Sequence, residues 1–277
     1  MTTTYDISRQ RGARLVALDI DGTLAIPGTT TISKAVREAV TNALEAEHHI
    51  VLSSGRSLVG VLPVARELGL AEGWAVASNG AVTVRLDPAA RGGYRLHDVR
   101  AFDPAPVVRH ARSTFPGVRV AAEVIGKGYR VTHLFAAHEL SGEQMVVDLA
   151  TAIGRNTTRL VLRVPGIAHL TGELSATGVT VIRDGNDWLD ITAPRLSKDT
   201  ALETVRDELA VDRRSTVAVG DGLNDVEMLR WAQRGVAMGH APEVVQDAAD
   251  EVTGTLHEDG AATVLNSLLL EPIAAGR

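Results

Sequence analysis

Residues 15–24 read LVALDIDGTL and form the most informative stretch of the chain. The run Leu15–Leu18 is apolar, and two carboxylates, Asp19 and Asp21, follow it one residue apart. A short apolar run of this kind indicates a parallel strand that is buried on both faces. Because open α/β sheets bind their ligands at the carboxyl ends of the strands, the pattern places both acids where a ligand would lie.

Two carboxylates held this close repel each other unless a cation lies between them or one of them takes a proton. The spacing of Asp19 and Asp21 therefore predicts a metal site, an acid/base pair, or both. One chemistry uses both acids: the first attacks a phosphorus atom, and the second transfers protons to the leaving group and from water.

A second acidic cluster lies near the other end of the chain. Residues 216–220 read TVAVG, and Asp221, Asn224 and Asp225 follow them. Mg²⁺ takes oxygen ligands and usually binds only one or two carboxylates beside water and substrate phosphate. Asp19 and Asp221, at the ends of two strands, suit this role. Aspartates after strands also serve as turn residues and helix caps, which is a sufficient explanation for one such cluster and a poor one for two.

The composition excludes several classes of protein. The chain has 277 residues, a net charge of −6 and no cysteine, so disulfides, thiolate nucleophiles and cysteine-based zinc sites are excluded. The negative charge argues against nonspecific nucleic-acid binding, which needs a basic face. No apolar run is long enough to span a bilayer, and Met1–Arg14 lacks the apolar core of a signal peptide. We therefore expect a cytoplasmic protein with no membrane or nucleic-acid partner.

Strand and helix signals alternate over residues 15–80. Apolar runs are separated by stretches with helical spacing, and Thr31 or Ser33 is a candidate N-cap of the first helix. This βαβαβ pattern predicts right-handed crossovers and a parallel sheet.

From residue 82 the strand and helix signals become shorter and more mixed, and the alternation returns near residue 198. The length of the chain favours about two domains. The sequence thus predicts an α/β fold with a Rossmann-like parallel-sheet core, formed by residues 1–81 and 189–277. Residues 82–188 are predicted to form an inserted α+β cap domain.

Four motifs occur in order along the chain: DxDGT at Asp19–Thr23, a serine before Gly-Arg at Ser54–Arg56, a lysine near a helix start at Lys198, and GDGxND at Gly220–Asp225. This set resembles the haloacid dehalogenase superfamily, and within it the Cof-type sugar phosphatases, whose cap is inserted after the third strand. The resemblance covers nearly the whole chain. One departure is Ser54, which replaces the threonine common in this group but keeps the hydroxyl.

The resemblance implies a role for each acid of the two clusters. Asp19 resembles the nucleophile that forms an aspartyl-phosphate and also binds Mg²⁺. Asp21 resembles the general acid/base, with its backbone carbonyl serving the metal. Asp221 is similar to the third protein ligand of the metal, and Asp225 to a metal-site carboxylate or to a residue that supports the ligands.

The resemblance also implies contacts to the phosphate and to the rest of the substrate. The candidate phosphate-binding residues are Ser54, Lys198 and Asn224. The candidate substrate contacts are Gly55, Arg56 and Asn79. No residue of the predicted cap can be matched to a family motif. Two alternatives stay open: Arg56 merely starts a helix and pairs with a surface acid, and Asn79 is only a turn residue.

The function that the resemblance implies is a Mg²⁺-dependent phosphatase that hydrolyses small phosphate monoesters, such as sugar phosphates, through phospho-Asp19. Its partner would be a small phosphorylated metabolite. Two alternatives stay open: a phosphotransferase or phosphomutase of the same fold, and a non-catalytic phosphate-binding regulatory protein. The sequence leaves the oligomeric state and the physiological substrate open.

Overall fold

The fold contains two sheets and the helices that cover them, in a computed structural model that describes residues 12–136 and 138–270. Residues 1–11 and 271–277, which the sequence assigns to the core, lie outside the described residues, as does most of the segment Met1–Arg14. The strands are β1 (Leu15–Leu18), β2 (His49–Ser53), β3 (Gly73–Ala77), β4 (Val82–Leu86), β5 (Tyr94–Val99), β6 (Arg119–Val124), β7 (Gly128–Val131), β8 (Glu143–Val146), β9 (Leu160–Arg163), β10 (Thr180–Asp184), β11 (Trp188–Thr192), β12 (Thr216–Gly220), β13 (Arg234–Ala237) and β14 (Glu251–Val252). The helices are α1 (Lys34–Glu45), α2 (Leu58–Glu67), α3 (Ala105–Thr114), α4 (Leu149–Ile153), α5 (Thr171–Ser175), α6 (Lys198–Glu208), α7 (Val226–Trp231), α8 (Glu243–Gln246) and α9 (Gly260–Leu268).

The large sheet has eight strands in the order β14-β13-β12-β1-β2-β3-β4-β5. The first six run parallel to one another, and β4 and β5 add an antiparallel edge. All four residues of β1 are fully buried between helices on the two faces of the sheet. The α/β fold with a parallel-sheet core is therefore confirmed, and so is the βαβαβ unit at its start.

Helix α1 illustrates how the local sequence builds this core. Ser33 precedes the helix in extended backbone, and its Oγ accepts a hydrogen bond from the Val36 amide at 3.1 Å, as an N-cap does. Val36 and Val40 are buried against the large sheet. Ser33, one of the two candidate residues, is thus the observed cap.

The small sheet has six strands in the order β10-β11-β9-β6-β7-β8. One of its faces is covered by α3 and α5, and the apolar side chains on that face include Leu160, Leu162, Leu189 and Ile191. The side chains of the same strands alternate, so their neighbours lie on the opposite face. That opposite face turns toward the carboxyl ends of the large sheet, as the residues that line the cleft between the two sheets indicate.

The edges of the predicted cap do not coincide with the edges of the sheets. Strands β4 and β5 are predicted to belong to the insert, but β4 pairs with β3 and β5 pairs with β4 in the large sheet. Val82 and Val84 of β4 are buried in the core of this sheet. The domain boundary predicted after residue 188 falls at the start of β11, whose residues Trp188–Thr192 pair within the small sheet. The strand pairing favours edges in the loops after β5 and β11, and the division into two domains with its boundaries stays a prediction.

Within residues 12–136 and 138–270, no helix is both long enough and apolar enough to cross a bilayer.

Candidate active site

The two acidic loops meet at the centre of the large sheet, where β1 and β12 are neighbours. The Asp19 amide donates to the Val219 carbonyl at 3.0 Å, which continues the pairing of the two strands. Gly22 has a φ of +81°, and a Cβ at this position would overlap the carboxylate of Asp221. The glycine of the first motif is therefore required both by the left-handed turn and by the close approach of the second loop.

Lys198 lies beneath Asp19 and is almost fully buried. It is the first residue of α6, and the start of this helix is stabilised by the Ser197 amide, which donates to Thr200 Oγ1 at 3.2 Å. The Lys198 ammonium donates to Asp19 Oδ1 and to Asp225 Oδ1, both at 2.5 Å. Burial alone would lower the pKa of Lys198, but the two carboxylates raise it above its ordinary value, so the lysine is charged.

Asp225 lies behind the other acids, with no exposed surface. Its Oδ1 accepts from Lys198, and its Oδ2 accepts from the amides of Asp221 and Gly222 at 3.0 and 2.8 Å. Three hydrogen bonds thus hold the carboxylate in place. These contacts favour a supporting role, in which Asp225 orients Lys198 and the Asp221 turn, and direct metal ligation by Asp225 stays a prediction.

The acids of this cluster carry more negative charge than Lys198 balances. Asp19, Asp221 and Asp225 each offer an oxygen, and the three oxygens lie within 4.8 Å of one another. Burial raises the pKa of Asp19 well above its ordinary value, although Lys198 opposes the rise, and burial also raises the pKa of Asp221. Oxygen donors at this spacing suit a hard divalent cation, which would stabilise both acids in the ionised form.

Asp21 lies apart from this cluster and pairs with Arg56. The Arg56 Nε donates to Asp21 Oδ2 at 2.7 Å, and its Nη2 donates to Asp21 Oδ1 at 2.6 Å. The Gly28 amide adds a third hydrogen bond at 2.8 Å. Burial would raise the pKa of Asp21, but Arg56 outweighs it and lowers the pKa below the ordinary value. Asp21 is therefore ionised in this arrangement, and Arg56 must release it before it can carry a proton.

The remaining predicted residues follow β2, β3 and β12. Ser54 follows β2, is buried, and accepts from the Arg56 amide at 3.2 Å through its Oγ. Asn79 follows β3 in the left-handed region, with a φ of 55°, and its Oδ1 accepts from Asn224 Nδ2 at 2.9 Å. This hydrogen bond joins the loops after β3 and β12, although Asn79 and Asn224 are 145 residues apart in the sequence.

A cleft of about 740 Å³ lies between these strand ends and the small sheet. The predicted residues that line it are Asp19, Asp21, Ser54, Gly55, Arg56, Asn79, Asp221 and Asn224. Lys198 and Asp225 lie behind Asp19, outside the lining of this cleft. Its volume is in the range of pockets that enclose small molecules.

Several residues near the cleft were not predicted. Thr23 Oγ1 donates to Asp221 Oδ1 at 2.9 Å, and His240 Nε2 lies 3.6 Å from Asp221 Oδ2. On the opposite side, the small sheet contributes Arg159 and Asp190, which form a buried ion pair. No sequence motif marks this pair, because its partners lie 31 residues apart. Arg159 directly precedes β9 and Asp190 lies in β11, so the two meet only through the pairing of these strands.

Comparison with known protein families agrees with the four motifs. The family model described as haloacid dehalogenase-like hydrolase matches residues 16–91 and 163–265. The two matched segments contain both acidic loops, Lys198 and the strands that carry them. The segment between them, residues 92–162, is not matched and contains β5 to β8 and most of β9.

Individual relatives align over almost the entire chain. The chain is 28% identical to the 5-amino-6-(5-phospho-D-ribitylamino)uracil phosphatase YitU of Bacillus subtilis, over 91% of this chain and 96% of that protein. It is 30% identical to a phosphoglycolate phosphatase of Haloarcula marismortui, over 88% and 92%. Among solved structures, a phosphatase of the haloalkanoate enzyme superfamily from Bacteroides thetaiotaomicron superimposes with a TM-score of 0.78 at 26% identity, covering 94% of this chain and 97% of the other.

Proposed function

The chain belongs to the haloacid dehalogenase-like hydrolases, and we propose that it is a Mg²⁺-dependent phosphatase of small phosphate monoesters that works through phospho-Asp19. The observation that carries the proposal is the contact of Asp19 with the buried Lys198 at the floor of a small cleft, with Asp21 beside it. Asp19 is held by a buried ammonium and faces the cleft, so it can attack phosphorus. The second acid, Asp21, is close enough to protonate the leaving group of the ester.

The first step transfers the phosphoryl group to the protein. Asp19 Oδ1 is bound by Lys198, so Oδ2 is the oxygen that attacks phosphorus. A bond forms between Oδ2 and phosphorus, the ester bond between phosphorus and the leaving oxygen breaks, and Asp21 gives its proton to that oxygen. For this step Asp21 must leave Arg56 and take a proton, because the contact with Arg56 keeps it ionised.

The second step returns the protein to its starting state. Asp21, now a carboxylate, takes a proton from a water molecule, and the oxygen of that water attacks the phosphorus of phospho-Asp19. The bond between phosphorus and Asp19 Oδ2 breaks, and inorganic phosphate leaves. The same residue thus acts as an acid in the first step and as a base in the second.

Three residues are proposed to bind the phosphoryl oxygens or to balance their charge. Lys198 balances negative charge at Asp19 from below, and Ser54 and Asn224 line the cleft beside it. Preorganised donors of this kind stabilise the charge that phosphoryl transfer moves onto the equatorial oxygens. The Asn79 side chain holds the Asn224 amide in place, since its Oδ1 accepts from Asn224 Nδ2.

Asp19 and Asp221 would hold the cation, together with the backbone carbonyl of Asp21 that the family resemblance implies. Their close oxygens and the raised pKa of both acids support a divalent ion at this place. When bound, Mg²⁺ supplies positive charge that neutralises the acids and draws the phosphate oxygens into position. Thr23 orients the Asp221 carboxylate, and Asp225 fixes the loop that carries it.

The partner is proposed to be a small phosphorylated metabolite. The printed names of the relatives agree on phosphate esters of small molecules but differ in the rest of the substrate, so they do not identify the metabolite. The cleft volume of about 740 Å³ supports a ligand of this size. The cytoplasmic location and the absence of nucleic-acid partners stay predictions from the sequence.

The test is phosphate release from a panel of sugar phosphates and nucleotides, with Mg²⁺ or with a chelator, for the wild type and for Asp19→Asn. We expect release that requires Mg²⁺ and disappears in Asp19→Asn. Asp98→Asn, a substitution on β5 at the surface, is the control and should keep the wild-type rate. Release that survives Asp19→Asn would refute the nucleophile, and no release from any ester would favour a phosphotransferase or a binding protein.

A further inference from the structure

The wall of the cleft opposite Asp19 contains a buried ion pair that the hydrolysis mechanism does not use. Arg159 donates through Nε to Asp190 Oδ1 at 2.6 Å and through Nη2 to Asp190 Oδ2 at 2.9 Å. A third N–H, on Nη1, donates to the Tyr129 hydroxyl at 2.8 Å. The side chains of Arg159 and Asp190 are 9% and 13% exposed, and both line the cleft.

The alternation of the strands explains why these charges face the cleft. Asp190 lies opposite Val161, and Trp188 lies opposite Arg163, in the antiparallel pairing of β11 with β9. Directly opposed residues share a face of the sheet, and so do residues two apart, which places Arg159 on the same face. The other face carries leucine and isoleucine side chains packed under helices. The polar residues are therefore confined to the face that looks toward the strand ends of the large sheet.

Burying an ion pair in the wall of the cleft has a large unfavourable desolvation free energy. Both charges lose their hydration when they are buried, and an apolar pair of similar size is often equally stable or more stable. Packing alone therefore does not account for Arg159 and Asp190. Both side chains line the cleft, and their remaining hydrogen-bonding capacity offers a reason for their presence.

The pair can still both donate and accept. A guanidinium has five N–H groups, and three of those of Arg159 donate to Asp190 and Tyr129. Each Asp190 oxygen accepts one hydrogen bond from Arg159 and has a second lone pair. The two side chains thus present donors and acceptors side by side to whatever occupies the cleft.

The pair also carries no net charge. Burial raises the pKa of Tyr129 to about 12, so its hydroxyl stays neutral beside the guanidinium. The neighbouring Arg163 contacts Glu139 and is likewise paired. An anion bound here would gain little attraction, whereas an uncharged group with hydroxyls would complete the hydrogen bonds of both partners.

We propose that Arg159 and Asp190 recognise the leaving group of the substrate, and that this group is uncharged and rich in hydroxyls or comparable donors and acceptors. The inference rests on the proposed function, because it assumes an ester whose phosphate lies at Asp19. The wall is fixed over the floor by Glu123 of β6, which accepts from Ser78 Oγ at 2.6 Å, next to Asn79. A leaving group would thus meet Arg159 and Asp190 in a defined position.

The test compares three six-carbon esters that differ only in the leaving group. Sorbitol 6-phosphate has hydroxyls, hexyl phosphate has none, and 6-phosphogluconate adds a carboxylate. We expect the wild type to prefer sorbitol 6-phosphate in kcat/KM by at least about tenfold over either of the others, because sites built to bind a hydroxyl reject analogues that lack it.

The variant combines Arg159→Met with Asp190→Leu, so that no charge is left buried without its partner. We expect the preference for sorbitol 6-phosphate over hexyl phosphate to fall below about threefold, through a raised KM for sorbitol 6-phosphate. The control makes the same two changes at the surface pair of Arg95 and Asp87, which lies on the edge of the large sheet, and should keep the preference.

An unchanged preference in the double variant, or a wild type that favours 6-phosphogluconate, would overturn the inference. Failure of the proposed function looks different, because the wild type would then release no phosphate from any ester. In that case calorimetric titration of the Mg²⁺-loaded protein with sorbitol 6-phosphate decides. Tenfold weaker binding by the double variant would support the inference, and equal binding would contradict it.

Discussion

Two groups of buried charges face the same cleft, and they differ in how their charges balance. At the floor, the buried ammonium of Lys198 contacts the carboxylates of Asp19 and Asp225, and Asp221 adds a third carboxylate close to these two. At the wall, one guanidinium, that of Arg159, meets one carboxylate, that of Asp190, in a two-point contact. The floor is therefore incomplete without a further positive charge, while the wall is electrically complete.

The difference teaches what each group can recognise. Burial, with a smaller contribution from the neighbouring carboxylates, raises the pKa of Asp19 and of Asp221. A cation relieves this cost and in turn attracts phosphate. A balanced pair has no charge left to offer, so its remaining specificity comes from hydrogen bonds. One cleft thus combines a floor suited to an anion with a wall suited to a neutral group.

The largest effect is expected at Lys198, the one ammonium of the floor. Lys198→Met leaves Asp19 and Asp225 buried without their partner, which costs about 3–5 kcal/mol of stability. It also removes charge stabilisation from the transferring phosphoryl group, for which we expect a fall in kcat of about 10²- to 10³-fold. Steady-state kinetics and urea unfolding measure the two effects.

Lys34→Met is the matched control, because Lys34 is an exposed lysine that pairs with Glu38 on the surface of α1. Its removal should change stability by less than about 0.5 kcal/mol. Wild-type kcat in Lys198→Met would show that the floor does not need its ammonium.

At the wall, the two charges neutralise each other, so removing one of them should lower the free energy of unfolding more than removing both. Asp190→Leu leaves Arg159 buried and unpaired and should cost about 3–5 kcal/mol, whereas Arg159→Met with Asp190→Leu should be within about 1–2 kcal/mol of the wild type. Chemical unfolding of the wild type, both single variants and the double variant gives the coupling energy of the pair. Additive losses would mean that the two side chains are not coupled in the folded protein.

The floor also predicts how stability depends on pH when metal is removed. A carboxyl whose pKa is raised by folding binds its proton more tightly in the native state, so stability falls as the pH rises from its ordinary value of 3.8 through the higher folded value. Each unit of difference is worth about 1.4 kcal/mol. In a chelator, Asp221→Asn should flatten this fall.

Unfolding midpoints between pH 4 and 8 measure this slope. Mg²⁺ should remove most of the fall in the wild type and have little effect on Asp221→Asn. Asp184→Asn removes an exposed carboxylate at the edge of the same cleft and is the control. An identical slope in all three proteins would locate the pH dependence elsewhere.

The smallest effect is expected at Asn224, which offers one neutral hydrogen bond. Asn224→Ala removes the amide that Asn79 holds in the cleft and should lower kcat/KM about tenfold, the equivalent of about 1.4 kcal/mol. The effect should be smaller than that of Lys198→Met on the same substrate. A loss as large as that of Lys198→Met would mean that the amide does more than bind a phosphoryl oxygen.

The floor could be predicted from the sequence because its residues follow apolar strands of a parallel sheet. The carboxyl ends of such strands meet at one edge, so Asp19, Ser54, Asn79 and Asp221 converge whatever the details of packing. The α/β core was predictable for the same reason, since the alternation of strands and helices specifies it.

The wall could not be predicted, because it depends on pairings that no local pattern specifies. Arg159 and Asp190 look like ordinary polar positions in half-buried strands, and only the register of β9 with β11 brings them together. The sheet to which the hairpin of β4 and β5 belongs was also not predictable, for a related reason. Strands β4 and β5 form a hairpin that could belong to either sheet, and the buried side chains of Val82 and Val84 place it in the large one.

The most direct test of the account is to capture the phosphoryl group on Asp19. Asp21→Asn removes the base of the second step, and p-nitrophenyl phosphate needs no proton on its leaving group, so the first step should run and the second should stall. We predict a burst of nitrophenolate equal to the protein concentration, together with a peptide containing Asp19 that has gained one phosphoryl group. Steady release without a burst, and with no phosphoryl group on that peptide, would contradict the account.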